Sequence, residues 1–294
     1  MAHPSFTTII PAHNEGNVIE RCLLALYRDA PAEHSMQVII AANGCTDNTA
    51  ALARKAAPQA QVIELEEGSK PNAMNAGRAI ATHPICVFLD ADVQISYGSL
   101  AALARALEEP GVMVASPALR MDLSRSNPLV KCYYRVWLNL PYVTDRMVGS
   151  GCFGLSEQAS MALGDFPAII GDDIWVRSKF GFSERRNISR DEDGEPVFFL
   201  VSPPRTLRDQ IRVEARRRAG NRQVDALLAK EISQANHRNT HGWRDIARAV
   251  GKGATWVDAL VYVAAKIAVV AKTNWTGVKG KTPSWERDLA ARES

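Results

Sequence analysis

The run Ile85-Cys86-Val87-Phe88-Leu89-Asp90-Ala91-Asp92 decides how this chain folds, because its apolar residues stop abruptly at two carboxylates one residue apart. A stretch this short, bounded by Pro84 and by acid, reads as a buried parallel strand with no polar face to alternate. In open α/β sheets ligands sit beyond the carboxyl ends of the strands, so Asp90 and Asp92 project into the crevice where a substrate would lie. Two hard oxygen ligands with a one-residue spacer suit Mg²⁺ or Mn²⁺ bridged to a diphosphate. Taken alone, Asp-x-Asp also reads as a strand-to-loop turn whose carboxylates cap backbone amides. The neighbouring segments weigh between the two readings.

Upstream, strand and helix patterns alternate. Phe6 to Ile10 reads as a strand, Pro11-Ala12-His13-Asn14-Glu15 as the loop leaving it, and Val18, Ile19, Cys22, Leu23 and Leu26 recur at helical spacing. Val38 to Ala42 is a second strand, followed by Asn43-Gly44-Cys45-Thr46-Asp47-Asn48-Thr49, in which Thr46 or Asp47 can cap a helix running through Leu52 to Ala57. Val62 to Leu65 is a short third strand, Glu67 to Asn72 a loop, and Ala73 to Ala81 a small-residue helix. Strands alternating with helices predict a doubly wound, mostly parallel, Rossmann-like α/β sheet. Its loops leave one edge, which gathers His13, Asn14, Glu15, Asn43, Asp47, Lys70, Asn75, Asp90 and Asp92 at one crevice. That convergence favours a ligand site over a simple turn.

Downstream, Tyr97 to Leu107 reads as a helix, Val112 to Ser116 as a strand, and Asn127 to Arg146 as a helix carrying Tyr133, Tyr134, Trp137 and Tyr142. These aromatics suit stacking on sugar rings, but at this spacing aromatics more often form core. Gly149-Ser150-Gly151-Cys152-Phe153-Gly154 permits close backbone approach. It matches neither the P-loop nor the Gly-x-Gly-x-x-Gly pattern. Asp172-Asp173 stands at a helix start, where acids also simply favour the helix dipole. From Pro203 the composition turns basic, with Arg205, Arg208, Arg212, Arg216, Arg217, Arg218 and Arg222 facing either solvent or a diphosphate. The last helix, Trp256 to Lys272, is apolar on most of its circumference and reads as core or as a membrane-interfacial element.

The 294 residues, 46% hydrophobic and 23% charged, have the composition of a globular protein and can bury a substantial core. A net charge of +3 gives no ground for nucleic-acid binding. Five scattered cysteines, Cys22, Cys45, Cys86, Cys132 and Cys152, with no Cys-x-x-Cys pair, fit a reduced, cytoplasmic setting. No secretion signal is legible at Met1 to Ser5, and the apolar stretch Val257 to Ala271 is interrupted by Asp258 and Lys266.

Over roughly residues 6 to 222 these ordered blocks resemble the inverting family 2 glycosyltransferases of the GT-A fold. Ile10 to Glu15 is similar to the family's Pro-Ala-x-Asn-Glu loop at the nucleotide base, Asn43 to Thr49 to its Asp-Gly-Ser-Thr-Asp-x-Thr block, and Lys70 to Gly77 to its Lys-x-x-Ala-x-Asn-x-Gly block. Asp90-Ala91-Asp92 is similar to its metal-binding motif, Gly149 to Leu155 to its acceptor-side glycine loop, and Asp172-Asp173 to the acidic pair holding its catalytic base. The resemblance implies a catalytic region, 1–205, and a basic, mainly helical extension, 206–294. It implies Asp173 as general base with Asp172 beside it, and Asp92 with Asp90 as ligands of Mn²⁺ or Mg²⁺. Pro11, His13, Asn14, Glu15, Asn43, Asp47, Lys70, Asn75, Asp90 and Arg216 would hold a nucleoside-diphosphate sugar, with UDP favoured. Gly149, Ser150, Gly151 and Cys152 would face a saccharide or lipid-linked acceptor.

Two departures stand out. Ala42-Asn43 occupies a place where the family usually carries acids, and Arg216-Arg217-Arg218 lacks the Trp of processive polymerases. Transfer of a single sugar is the expectation. A peripheral contact through 205–272 with an anionic lipid surface, at the inner face of the plasma membrane, follows from the basic segment and the apolar helix. Two other readings use similar sheets: a sugar-nucleotide nucleotidyltransferase, which needs a Gly-rich basic loop that Pro11 to Gly16 does not supply, and a non-catalytic sugar-nucleotide-binding protein.

Overall fold

A computed structural model describes residues 3–144, 149–228 and 242–278. The chain divides into two compact units, one of residues 1–120 and 148–201, the other of residues 121–147 and 202–293.

The first unit opens with β1 (Phe6–Ala12), α1 (Ile19–Tyr27), β2 (Met36–Asn43), α2 (Thr49–Ala56), β3 (Gln61–Leu65), α3 (Lys70–Ala79) and β4 (Cys86–Leu89). β5 (Gln94–Ile95), α4 (Tyr97–Glu108) and β6 (Val114–Met121) follow. The chain then contributes α5 (Pro128–Trp137) and α6 (Pro141–Thr144) to the second unit and returns as β7 (Cys152–Leu155), α7 (Glu157–Leu163), α8 (Asp172–Lys179), β8 (Arg185–Ile188) and β9 (Phe198–Val201). The sheet order is β3-β2-β1-β4-β7-β6-β9-β5, with β8 beside β6. Its β3-β2-β1-β4 half is parallel, as the alternating pattern predicts. β7 then runs antiparallel between β4 and β6.

Strand alternation divides the side chains between two apolar layers. Ile10, Ala12, Ile40, Val87 and Leu89 join Ile19, Leu23 and Leu26 of α1 and Leu100, Leu103 and Leu107 of α4 in one continuous core. The opposite face carries Ile9, Ile39 and Phe88 in register, and the Phe88 ring meets Phe153 and Phe166, each with centroids 5.1 Å away. The helices begin where side-chain oxygens satisfy the first amides: Ser69 receives Asn72 N, Ser96 receives Ser99 N, and Ser156 receives Ala159 N.

The second unit packs α5 against α9 (Leu207–Leu228), α10 (Trp243–Gly251) and α11 (Trp256–Val278). The helix expected over Asn127 to Arg146 is shorter than predicted. Asn127 caps it by accepting from Val130 N, and it stops at Trp137. Pro141, which lacks an N–H and clashes with a preceding helical turn, begins a separate turn. The end of the predicted span, at residues 145–146, lies outside the described residues. Tyr133, Tyr134 and Trp137 are buried, with Tyr133 against Tyr262 of α11 and the Tyr134 hydroxyl donating to Gln210 Oε1 at 3.0 Å. They are core of this unit. The cysteines are free thiols. Among the described residues no helix is long and apolar enough to cross a membrane.

Candidate active site

The tip of β4 organises the site. Val93 N donates to Asp90 O at 3.0 Å, turning the chain immediately after the strand. The antiparallel register places Cys152 opposite Leu89, so the preceding residues cross the strand tip, and Asp90 N donates to Gly151 O at 2.8 Å. Gly149, Ser150 and Gly151 take φ of +107°, +59° and +119°, a left-handed run that favours glycine. Close approach is equally demanding there. A β-carbon on Gly149 would lie 2.4 Å from Asp173 Cβ, and one on Gly151 would lie 2.6 Å from Val93 Cγ2. The glycine loop thus runs between the aspartate at the strand tip and the aspartate at the start of α8.

Lys70 ties the same two elements together. Ser69 caps α3 and sets Lys70 in its first turn, where Nζ lies 2.8 Å from Asp90 Oδ1 and 3.0 Å from Asp172 Oδ2. Burial pushes the Asp172 carboxyl up to about 6; Lys70 opposes this, while Asp173 and Asp90 push the same way. Burial disfavours the Lys70 ammonium, but Asp172 and Asp90 outweigh it and hold the group well above the ordinary lysine range. Asp173 follows in the first turn of α8, with Oδ1 accepting from Ile174 N at 2.9 Å.

The residues read as nucleotide contacts also stitch the β1 and β2 loops together. Asn14, at φ +52°, accepts from Thr46 N at 2.5 Å and Asp47 N at 3.1 Å. Asp47 accepts from Gly16 N and from the amide and hydroxyl of Thr49, whose Oγ1 accepts from Glu15 N at 2.7 Å. Asn48, without a side-chain bond, is the cap of α2 in place of the expected Thr46 or Asp47. His13 Nδ1 lies 2.5 Å from Asn43 O, and the Asn43 amide donates to Ala12 O and Ala41 O. Pro11 is paired with Ala41 inside the sheet.

Asn75 exchanges two hydrogen bonds with the Phe166 backbone, anchoring the segment that leads to α8. Arg78, which the sequence reading did not single out, reinforces this by donating to Gly164 O and Ser160 O. Its sequence signal is slight, a basic residue in the last turn of α3. Cys152 is buried in β7, and burial pushes its thiol far up. Arg216 belongs to α9 of the second unit.

Among the described residues no cluster of three or more His, Cys, Asp or Glu is placed to hold a metal. Asp90 and Asp92 form an all-oxygen pair at a strand end. That donor set fits a hard cation which takes one or two carboxylates and completes its shell with water and substrate phosphate.

A doubly wound sheet with Asp-x-Asp at the tip of its fourth strand, faced by a glycine loop and an acidic helix start, defines a GT-A glycosyltransferase. The chain matches the family model "Glycosyl transferase family 2" over residues 7–177 and belongs to that family. Among solved structures it is similar to the mannosyltransferase PcManGT from Pyrobaculum calidifontis in complex with GDP-Man and Mn²⁺, with 22% identity and TM-score 0.60, over 95% of this chain and 80% of that one. It is also similar to glucosyl-3-phosphoglycerate synthase from Mycobacterium tuberculosis in complex with Mn²⁺, UDP and glucosyl-3-phosphoglycerate, with 19% identity and TM-score 0.51, over 77% and 79% of the two chains. At these identities the likeness shows the fold. No curated protein matches the sequence significantly.

Proposed function

We propose that this glycosyltransferase moves one sugar, with inversion, from a nucleoside-diphosphate sugar to a hydroxyl of a saccharide or lipid-linked acceptor. The observation that carries this reading is the convergence of Asp90, Lys70, Asp172 and Asp173 around the Gly149–Gly151 loop. In the transfer the acceptor oxygen bonds to the anomeric carbon, the bond from that carbon to the diphosphate breaks with its electron pair, and the acceptor proton passes to the Asp173 carboxylate. Asp172, held by Lys70, keeps the start of α8 in place beside the glycine loop. Asp92 and Asp90 would hold Mn²⁺ or Mg²⁺, which when bound supplies positive charge to the leaving diphosphate. Both similar structures carry Mn²⁺ with a nucleotide or sugar nucleotide, which supports a divalent cation and such a donor here. UDP is the nucleotide we favour.

We assign catalysis to region 1–205 and, to the basic extension 206–294, a peripheral contact through 205–272 with the anionic inner face of the plasma membrane.

Calorimetric titration of UDP, GDP and dTDP, with and without Mn²⁺, tests the donor site on the wild type and on Asp92→Ala. One nucleotide should bind tightly, and that binding should require both the metal and Asp92. Asp173→Asn should retain donor binding while transfer to acceptor is abolished. Absence of binding by all three nucleotides would sink the donor assignment, and normal turnover by Asp173→Asn would sink the base.

A further inference from the structure

Between Trp256 and Ala271 the two charges of α11, Asp258 and Lys266, face the other helices of the second unit. Asp258, Ala259, Tyr262, Ala265, Val269 and Thr273 form its buried face. Asp258 meets Arg135 at 3.0 Å and Lys266 meets Glu214 at 2.5 Å, both pairs within the second unit. The outward face carries Val257, Leu260, Ala264, Ile267 and Ala271 at spacings of three and four, with Trp256 at its start. These are not marginal exposures: Trp256 is 61%, Val257 65%, Leu260 69% and Ile267 65% exposed. From Trp256 to Ala271 no charged residue lies on that face, an apolar strip of roughly 20 Å at the rise of an α-helix. A water-facing helix of a soluble protein carries the opposite pattern. α10 packs against α11 and adds Trp243, 65% exposed, followed by exposed Arg244, Arg248 and Lys252.

Charge selects the occupant. Residues 121–147 and 202–293 hold 22 Lys and Arg against 11 Asp and Glu, a net +11. The remaining residues hold 13 against 21, a net −8, which accounts for the total of +3. Two copies meeting through this strip would bring two strongly positive units together, whereas an anionic lipid surface attracts one.

We propose that the outward face of α11, with Trp243 and the cations of α10 at its edge, is the surface by which this protein lies on an anionic bilayer. The inference rests on the proposed membrane contact through 205–272 and narrows it to one face of one helix. The helix lies in the interface and does not cross it, since no described helix is long and apolar enough to span. The exposed Trp256 and Trp243 suit the headgroup boundary, where an apolar ring with one polar N–H is at home.

Flotation with phosphatidylcholine vesicles, with and without phosphatidylglycerol, tests the proposal on the full chain. The wild type should float with the anionic vesicles and progressively less as salt is added. Leu260→Glu/Ile267→Glu should weaken flotation by about tenfold or more, because it withdraws two aliphatic side chains from the interface and adds two like charges. Arg244→Gln/Lys252→Gln should weaken it by about fivefold per cation removed. Nucleotide affinity of each variant should equal the wild type's, which shows that the catalytic unit is folded. Failure of the wild type to float, or undiminished flotation of the double Glu variant, would overturn the proposal. So would a wild-type dimer that the double Glu variant splits while neither binds vesicles, since the face would then belong to a second copy. Loss of nucleotide binding by every form, wild type included, would count against the donor site and leave the flotation result standing.

Discussion

Lys70→Met isolates the interaction that holds the acidic helix start to the strand tip. With Lys70 present, Asp172 titrates at about 6 in a buried site and is ionised at neutral pH. Methionine keeps most of the side-chain volume and removes the attraction that lowers this carboxyl's pKa, leaving burial, Asp173 and Asp90 to oppose ionisation. The carboxyl then keeps its proton to higher pH than in the wild type, whereas in the unfolded chain it loses that proton near pH 3.9. Because its folded pKa is raised, its contribution to stability falls as pH rises toward that pKa. In the wild type the fall ends at about 6, and in Lys70→Met it continues. The two stabilities therefore diverge above about pH 6, by up to about 1.4 kcal/mol per pH unit while the variant's carboxyl holds its proton. Lys70 stays charged across this range in both folded and unfolded chains, so its own loss adds only a constant offset. Urea denaturation in EDTA at about pH 6 and about pH 8 measures the divergence, and Lys70→Arg, which restores a cation, should reduce it. A Lys70→Met gap that is the same at about pH 6 and about pH 8 would refute the claim that this lysine keeps Asp172 ionised.

Gly149→Ala forces a β-carbon against Asp173 at a φ of +107°, costing about 1–3 kcal/mol of local strain. It should lower kcat by roughly a hundredfold while donor affinity changes little, since a displaced base slows the chemistry before it weakens binding; single-turnover kinetics beside the nucleotide titration separate the two. In the second unit, burial opposes the charge of Asp258, but hydrogen bonds from Cys132 and from Thr255 N and Oγ1, together with the Arg135 guanidinium, outweigh it and hold the carboxyl down to about 2. Its contribution of about 2–3 kcal/mol is present above about pH 4 and lost as pH falls through about 2. Asp258→Asn should therefore lower neutral stability by about that amount and flatten the acid limb, as read from helical circular dichroism.

The parallel half of the sheet was legible because each buried strand is a short apolar run that ends in a polar loop, and Asp90 and Asp92 end theirs most abruptly. In the antiparallel half only β6 was, from the apolar run Val112 to Ser116. β5 has two residues, and β7 emerges directly from the glycine loop, so neither offers a period to read. Residue types at the crevice were readable; their partners were not. Asn14, Asp47 and Asn75 were legible as polar groups at the crevice, but not the hydrogen bonds by which they tie neighbouring loops, because a short amide or carboxylate beside backbone amides takes the nearest donor. Lys70 was legible as a cation at the crevice, but its sharing between Asp90 and Asp172 depends on a contact about a hundred residues away in sequence, which no local pattern encodes. The whole-chain charge misled most. A total of +3 looks unremarkable only because −8 and +11 were averaged over a boundary that places α5, from the middle of the chain, with the C-terminal helices. Partner chemistry acts through the local field of a surface and not through the sum over the chain, so the charge should be counted by structural unit before any class of partner is set aside.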